Sequence, residues 1–519
     1  MQPRFEITGV CQQSVSPPKG GFSLLTKSPP DVGILLLCVM LKQRYEHQTE
    51  LEIVSIEDLV PADHLLRKID KAIDFEFIRE RVREFYCPDN GRPALDPVVL
   101  FKMLFIGYLF GIRSERQLMR EIEVNVAYRW FLGFSLRSKV PNHSTISQNR
   151  RRRFSEGGIY QEVFDEIVLQ AIREDLVEGQ ILYTDSTHLK ASANKNKYDK
   201  KIVRRSTRSY LSDLESDINR DRQAHGKKEL KKKAARSEVK ETKVSTTDPE
   251  SGYLVREGKP KGFFYLDHRT VDGRHSIITD SHVTAGNVHD SLPYLERLDR
   301  QCERFGFTPE AVGLDAGYST AAICKGLEDR GVYGVIGYSR PSPRPGFLRK
   351  HEFVYDEYYD CYLCPCDKIL SYRNTTREGY REYASNPKEC RVCPLLGQCT
   401  QSATHVKVVT RHVWADYKER VDEHRLEKRG KKIYQRRKET VERSFADSKQ
   451  LHGHRYARMR GLAKVREQCL LSAACQNMKK IALLLSRRGK RLFFAFWKLI
   501  RGQLNPTRRA AGALLCFFS

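Results

Sequence analysis

A chain of 519 residues with 40% hydrophobic and 30% charged residues has enough material for two to four domains with buried cores, which excludes a wholly disordered protein. Its 91 Lys and Arg against 65 Asp and Glu leave a formal charge of +26. Such a surplus calls for a polyanionic partner, and nucleic acid comes first because phosphate contacts release counterions. No stretch approaches the roughly 20 apolar residues of a membrane span, and Gly33 to Leu41 is too short for one and lacks a cleavage site after it, so a cytoplasmic, nucleoid-associated protein without membrane contact is expected.

Residues 1–39 hold scattered Pro, Gly and Ser without a sustained period. They read as a disordered or non-native extension, with Met40 as the native start. Residues 40–155 read as an all-α DNA-binding domain. Ser55 and Asp58 form a capping signal, after which Leu65, Leu66, Ile69 and Ile73 recur at helical spacing. Asp96-Pro97 opens a helix through Val98, Met103 and Leu109 that is apolar nearly all round, and therefore central to the domain. Ser114 with Gln117 opens the next helix. Pro141 to Arg153 then predicts a short helix capped near Ser144. Its Gln148, Asn149, Arg150 and Arg151 are the residue types that read base edges and grip phosphates from a major groove.

The period changes at Gly179. Ile181 to Asp185 predicts a strand ending in a carboxylate, and residues 190–243 a basic helical insertion. Phe263 to His268 and Ser276 to Asp280 predict two antiparallel strands turned at Asp272-Gly273. A helix from Leu292, a strand at Ala311 to Asp315, a helix from Ala321 and a strand at Tyr333 to Tyr338 follow. Three strands in a hairpin run, then helix, strand, helix and strand, is the order of an α/β (α+β) ribonuclease H-like core. Its first part spans 179–345 and its C-terminal helices 430–488, including a long basic helix from Gly430 to His452. A distinct segment, 353–417, interrupts it, and 489–519 is a tail.

Three carboxylates stand at structural transitions: Asp185 and Asp315 at strand ends, and Glu442 on the basic helix that packs back against the sheet. Such a sparse oxygen set suits Mg²⁺ (or Mn²⁺). Two ions about 4 Å apart can activate an attacking oxygen and stabilise a leaving one. With Thr184-Asp185-Ser186-Thr187, Val283 to Asp290, Leu314-Asp315-Ala316-Gly317-Tyr318 and Glu439 to Phe445 in place, the chain from Met40 to about Arg488 resembles the DDE transposases of bacterial insertion sequences. The resemblance implies a catalytic and metal-binding triad of Asp185, Asp315 and Glu442. It also implies cleavage at the inverted-repeat ends of a mobile element followed by strand transfer, on a homodimer or higher oligomer assembled on DNA. A catalytically inactive, transposase-derived DNA-binding regulator is the alternative. Family members carry a tyrosine and an arginine before the glutamate and a lysine after it. Lys449 falls in place, whereas Tyr434 and Arg437 come one position early and Lys438 occupies the arginine's place. Lys449 and Lys438, with Arg437 beside them, are thus expected on DNA phosphates.

Six of the 14 cysteines fall between Cys361 and Cys399. The units Cys361-x-x-Cys364 and Cys390-x-x-Cys393, followed by Cys399, match a zinc ribbon, with structural Zn²⁺ held by four of these five. Cys366 is a further thiol in the same run. Trp414, late in this cysteine-rich insertion, reads at least as well as core packing as it does as a base-stacking residue.

Overall fold

The computed structural model describes residues 52–87, 94–154, 158–204, 211–231, 239–255, 260–339 and 344–503. The expectations for 1–39, for Met40 and for the tail beyond 503 lie outside them. The chain divides after Val54, and the architecture below is that of the unit from Ser55 onward.

Its first third is helical. Asp96 caps Pro97–Leu109 by accepting from the Val98 amide at 2.9 Å, while Pro97, at a position whose N–H has no helical partner, loses nothing. Ten of the helix's residues are buried, including Phe101, Leu104, Phe105 and Tyr108. Ser114 caps Glu115–Val124 through the Gln117 amide, as its spacing predicts. The helix His143–Arg152 begins two residues earlier than expected, because Asn142 and not Ser144 supplies the cap, accepting from the Ser144 amide at 2.9 Å.

The main sheet is mixed. Strand β1 (Ile181–Lys190) lies at its centre, with β2 (Gly262–Asp272) antiparallel on one side and β3 (Ile278–Ala285) antiparallel beyond that. On the other side β4 (Ala311–Leu314) and β5 (Tyr333–Ile336) run parallel to β1, joined by the helix Ala321–Glu328. A short strand, Gly252–Leu254, pairs with the start of β2. β2 reads as a continuous buried run because both of its faces are covered. The helix Leu462–Gln503 packs against β3 and against three helices of the first third, Leu65–Ala72, Pro97–Leu109 and Ile159–Arg173. Leu470, Ala473, Ala474, Met478 and Ile481 thereby join Leu66, Phe101 and Phe105 in one core. Each such large side chain stabilises the fold by roughly 1.5–3 kcal/mol on burial, so the helical third and the sheet form one cooperative body.

Residues 353–413 build a separate five-stranded antiparallel meander, running Val354–Asp356, Cys361–Leu363, Ile369–Thr375, Tyr380–Ser385 and Val408–His412, over a core of Phe353, Tyr362, Leu370, Tyr383 and Val409. The charged segment after β1 differs from the expected wholly helical one. Its strands Tyr198–Arg204 and Val239–Ser245 pair antiparallel around the helix Leu211–Ala224. Dense Lys and Glu hide the few Val, Ile and Thr that favour strands there. That helix docks on the meander: Asp221 accepts from Arg381 Nε at 2.6 Å, and Arg222 donates to the Thr375 carbonyl at 2.8 Å. Trp414, 3% exposed, packs with Leu214 and Ile218 of the same helix and donates to Asp217 at 2.8 Å, so it is a core residue.

Candidate active site

The parallel ladder between β1 and β4 ends at the Thr184–Leu314 pair. Asp185 and Asp315 are the next residues on each strand, so both carboxylates emerge at the carboxyl end of the parallel strands, where open α/β sheets commonly hold ligands. β1 itself does not stop at Asp185 but continues to Lys190 along β2. Glu442 arrives from the C-terminal helices. All three acids converge on one side chain, Arg437. Its Nη2 donates to Asp185 Oδ2 at 2.9 Å, and its Nη1 lies 3.7 Å from Asp315 Oδ1 and 3.8 Å from Glu442 Oε1. The Arg437 side chain is 4% exposed, while Asp315 and Glu442 stand open to solvent at 52% and 46%.

A π turn, Lys438–Glu442, explains how Arg437 reaches this place. The expected long helix is in fact Lys428–Arg436, this turn, and Arg443–Leu451. Within the turn the Glu442 amide bonds the Arg437 carbonyl at 3.2 Å, five residues back. A π turn takes up one residue more than an α turn, so Arg437 and Glu442 share a face despite a spacing that puts them out of phase in a plain α-helix. The one-residue offset in the sequence is therefore absorbed. Arg437, and not Lys438, stands beside the acids, which corrects the expectation that Lys438 takes the arginine's place and that Arg437 sits on a DNA phosphate. Close backbone approach helps: a Cβ on Gly313 of β4 would come within 2.7 Å of the Tyr183 ring and 3.5 Å of Arg437 Cγ.

A fourth acid joins the group. Asp290, at the end of the Val283 to Asp290 stretch, accepts from Ser186 Oγ at 2.8 Å. Neither residue had been given a role from sequence; the signal available was their position beside Asp185 and within a family stretch. Burial pushes Asp185 up to about 6, against the Arg437 charge and the Ser186 amide, with repulsion from Asp315 and Asp290 adding to the rise.

Behind the site, Arg269 of β2 sits opposite Asp185 in the sheet register. It holds Asp267 through Nε at 2.9 Å, reaches Ser444 Oγ at 3.4 Å and lies over the Phe445 ring. Ser444 donates to Gln476, which donates to Ser448 at 2.6 Å. This buried network fixes the helix that carries Glu442. Burial alone would raise Asp267, but the Arg269 charge and a hydrogen bond from His454 hold it well below the usual carboxylate range. Among the described residues, Asp267, His454 and Cys469 are the group whose ligand atoms all lie within 4.8 Å of one another. Arg269 and His454 already occupy the Asp267 carboxylate at 2.8 and 2.9 Å, so a cation there would meet a buried guanidinium with no alternative partner of equal strength. The oxygens of Asp185, Asp315 and Glu442 are spread more widely than that limit.

The residues predicted to meet DNA divide. Lys438, Gln148 and Arg151 are exposed and Lys449 is half-buried. Asn149 and Arg150 turn inward, a correction to their expected groove contact in this conformation. Asn149 is 8% exposed, bonding the Thr145 carbonyl at 2.8 Å and accepting from Arg153 at 2.6 Å. Arg150 pairs with Glu115 and with buried Glu467 of the last helix. Its charge ties the helix His143–Arg152 to the helices that carry Glu115 and Glu467 instead of facing a phosphate.

The cysteines also divide. Cys366 Sγ and Cys393 Sγ lie 3.7 Å apart, close to the roughly 3.8 Å between two thiolates that share a tetrahedral zinc with 2.3 Å bonds. Burial pushes the Cys399 thiol up, and Cys390, Cys364 and Cys393 nearby act in the same sense. Cys361 is buried in its strand, and the charges that act on it are Asp356 and Asp360. Cys366 thus stands beside Cys393, and Cys361 beside Asp356 and Asp360. Among the described residues, no three of these sulfurs lie within 4.8 Å of one another.

A mixed α/β body with converging acids at a strand end, and a net positive charge, suits nucleic-acid processing, and the chain carries two segments that match transposase domains, one of them a DDE domain. Residues 54–152 match the family model described as "Transposase domain (DUF772)" and residues 363–482 the one described as "Transposase DDE domain". Glu442 falls in the second match, whereas Asp185 and Asp315 fall between the two. No curated protein matches the chain. A cryo-EM structure of a piggyBac transposase synaptic complex with hairpin DNA aligns over 82% of this chain and 81% of that one, at 10% identity and a TM-score of 0.29, too low to support any inference.

Proposed function

We propose that this transposase cuts and rejoins the ends of its mobile element at a divalent-cation site formed by Asp185, Asp315 and Glu442 on a ribonuclease H-like core. The observation that carries the reading is the convergence of three carboxylates, from two adjacent parallel strands and a facing helix, on one buried guanidinium. The strand order β3-β2-β1-β4-β5, with β2 antiparallel to the other four, supports the fold assignment. An all-oxygen, carboxylate-only set fits Mg²⁺ or Mn²⁺. When bound, a pair of such ions supplies an activated attacking oxygen and charge stabilisation at the leaving oxygen.

The chain's own residues do the remaining work. Arg437 offsets the mutual repulsion of the acids and holds Asp185 in place. Ser186 and Asp290 fix the β1 end from the other side. Asp315 and Glu442, open to solvent, can meet an incoming strand. Lys438 and Lys449 would grip its phosphates, and Gln148 and Arg151 lie on the exposed side of a helix suited to a groove. The reading includes a homodimer or higher oligomer on DNA in the cytoplasm, and a structural zinc on four of Cys364, Cys366, Cys390, Cys393 and Cys399. An inactive DNA-binding regulator would have no use for acids kept together at this cost in repulsion. The test is nicking of end-containing DNA with Mg²⁺. Asp315→Ala should abolish nicking and leave binding nearly unchanged; a variant that still nicks removes the assignment.

A further inference from the structure

On the opposite face of the sheet, four elements enclose a cleft of about 40 Å³ lined by Gln161, Asp280, Ser281, His282 and four arginines, Arg297, Arg300, Arg304 and Arg466. Arg297, Arg300 and Arg304 lie at i, i+3 and i+7 on the helix Tyr294–Phe305, one stripe of its surface. Arg466 approaches from the helix Leu462–Gln503. Arg297 forms a forked pair with Asp280, Nε at 2.8 Å and Nη2 at 2.6 Å, yet its buried Nη1 has no hydrogen-bond partner. Arg304 bonds Asp165 at 3.0 Å and Arg300 bonds Glu296 at 2.8 Å. Burial first, then Arg297, with Arg466 and Arg300 adding, holds His282 down at about 4, so it lends the cleft no positive charge of its own near neutral pH.

Size narrows the ligand. A cleft of this volume is far below the roughly 300–1,000 Å³ of organic-ligand pockets. It is a few times the 10–15 Å³ that one water needs, which suits a small oxyanion group. With its fork taken by Asp280, Arg297 still offers Nη1 beside the exposed Arg300 and Arg466 guanidiniums, and such donors match phosphate oxygens in geometry and charge. Position narrows the source. Ser281 is paired with Arg269, and Arg269 with Asp185, so the cleft opens two strands across from the catalytic aspartate. At about 4.8 Å per strand that is ~10 Å measured along the sheet, within reach of a duplex that extends past the edge strand β3.

We infer that this arginine cleft is a second phosphate-binding site, one that takes a phosphodiester of the bound DNA at the edge of the sheet, away from the reacting bond. The inference rests on the DNA-cleaving reading for its ligand, but the cleft's preference for phosphate does not. Arg300 and Arg466 are exposed, so the double variant Arg300→Gln/Arg466→Gln should keep the fold. Thermal melting with inorganic phosphate, and duplex binding across a salt series, are then compared between parent and variant. Phosphate should raise the melting temperature of the parent and not of the variant. The slope of log affinity against log salt should fall by about one in the variant, the loss of one phosphate contact. Loss of the phosphate response with an unchanged salt slope would make this a free-anion site and overturn the DNA assignment. Identical behaviour in both assays would overturn the site itself. Failure of the parent to bind the duplex would count against the function proposed above, while the phosphate arm would still decide the cleft.

Discussion

Arg437 donates to Asp185 at 2.9 Å from a side chain that is almost wholly buried, and the same guanidinium faces Asp315 and Glu442. A positive charge thus stands among the acids as their common counter-ion. Removing it leaves them to repel one another in a partly desolvated site. Arg437→Ala should destabilise the metal-free protein by about 3–5 kcal/mol, the usual loss on breaking a buried pair. Millimolar Mn²⁺ should restore part of that loss, because a cation can replace the missing charge. The check is a melting series with and without Mn²⁺: the ion-induced rise should be larger in Arg437→Ala than in the parent.

Proton and cation compete for Asp185. Burial holds its carboxyl at about 6 in place of the usual 3.8, so below that value it is protonated and a poor ligand, and above it the carboxylate is free to bind. Mn²⁺ affinity, measured by calorimetry between pH 5 and 8, should rise steeply up to about pH 6 and flatten beyond. The sign for stability is the reverse: a raised acid favours the folded, metal-free state below the unfolded pKa and loses that contribution as pH rises through about 6. Asp185→Asn should remove the step in affinity. A step of equal size in that variant would assign the titration to another group.

Zinc in the meander should depend on Cys393 and not on Cys361. Cys393 lies 3.7 Å from Cys366, whereas Cys361 is buried along its strand among other neighbours. Metal analysis of purified protein should find about one zinc per chain in the parent and in Cys361→Ser, and markedly less in Cys393→Ser and Cys366→Ser. Equal zinc in all four would remove the thiol site.

The fold was legible where period and capping coincide. Asp96-Pro97, Ser114 and the run Val312 to Asp315 place their elements to within a few residues, because each combines a local signal with a burial pattern that agrees with it. The succession of strands and helices from Gly262 to Ile336 could be read for the same reason. What the sequence concealed depends on contacts between distant segments. Arg150 carries the composition of a DNA contact, but Glu115 and Glu467, the latter more than 300 residues away, take its charge inward. The Leu211–Ala224 helix shows only a weak period, because the apolar face it buries is completed by Trp414. Arg437 was misplaced because helical counting assumes 3.6 residues per turn, and the π turn at Lys438–Glu442 breaks that count at the catalytic helix. Cys366 falls outside the Cys-x-x-Cys spacing and reads only as a further thiol, although the loop that follows Leu363 brings it to Cys393.

The grip of three separated acids on divalent cations is tested most directly by crystallography of the protein soaked in Mn²⁺, with the anomalous signal locating the ion. Density is expected within coordination distance of the carboxylates of Asp185, Asp315 and Glu442, with Arg437 displaced from at least one of them. Density confined to Asp267, His454 and Cys469, or absent beside Asp185 at saturating Mn²⁺, would contradict it.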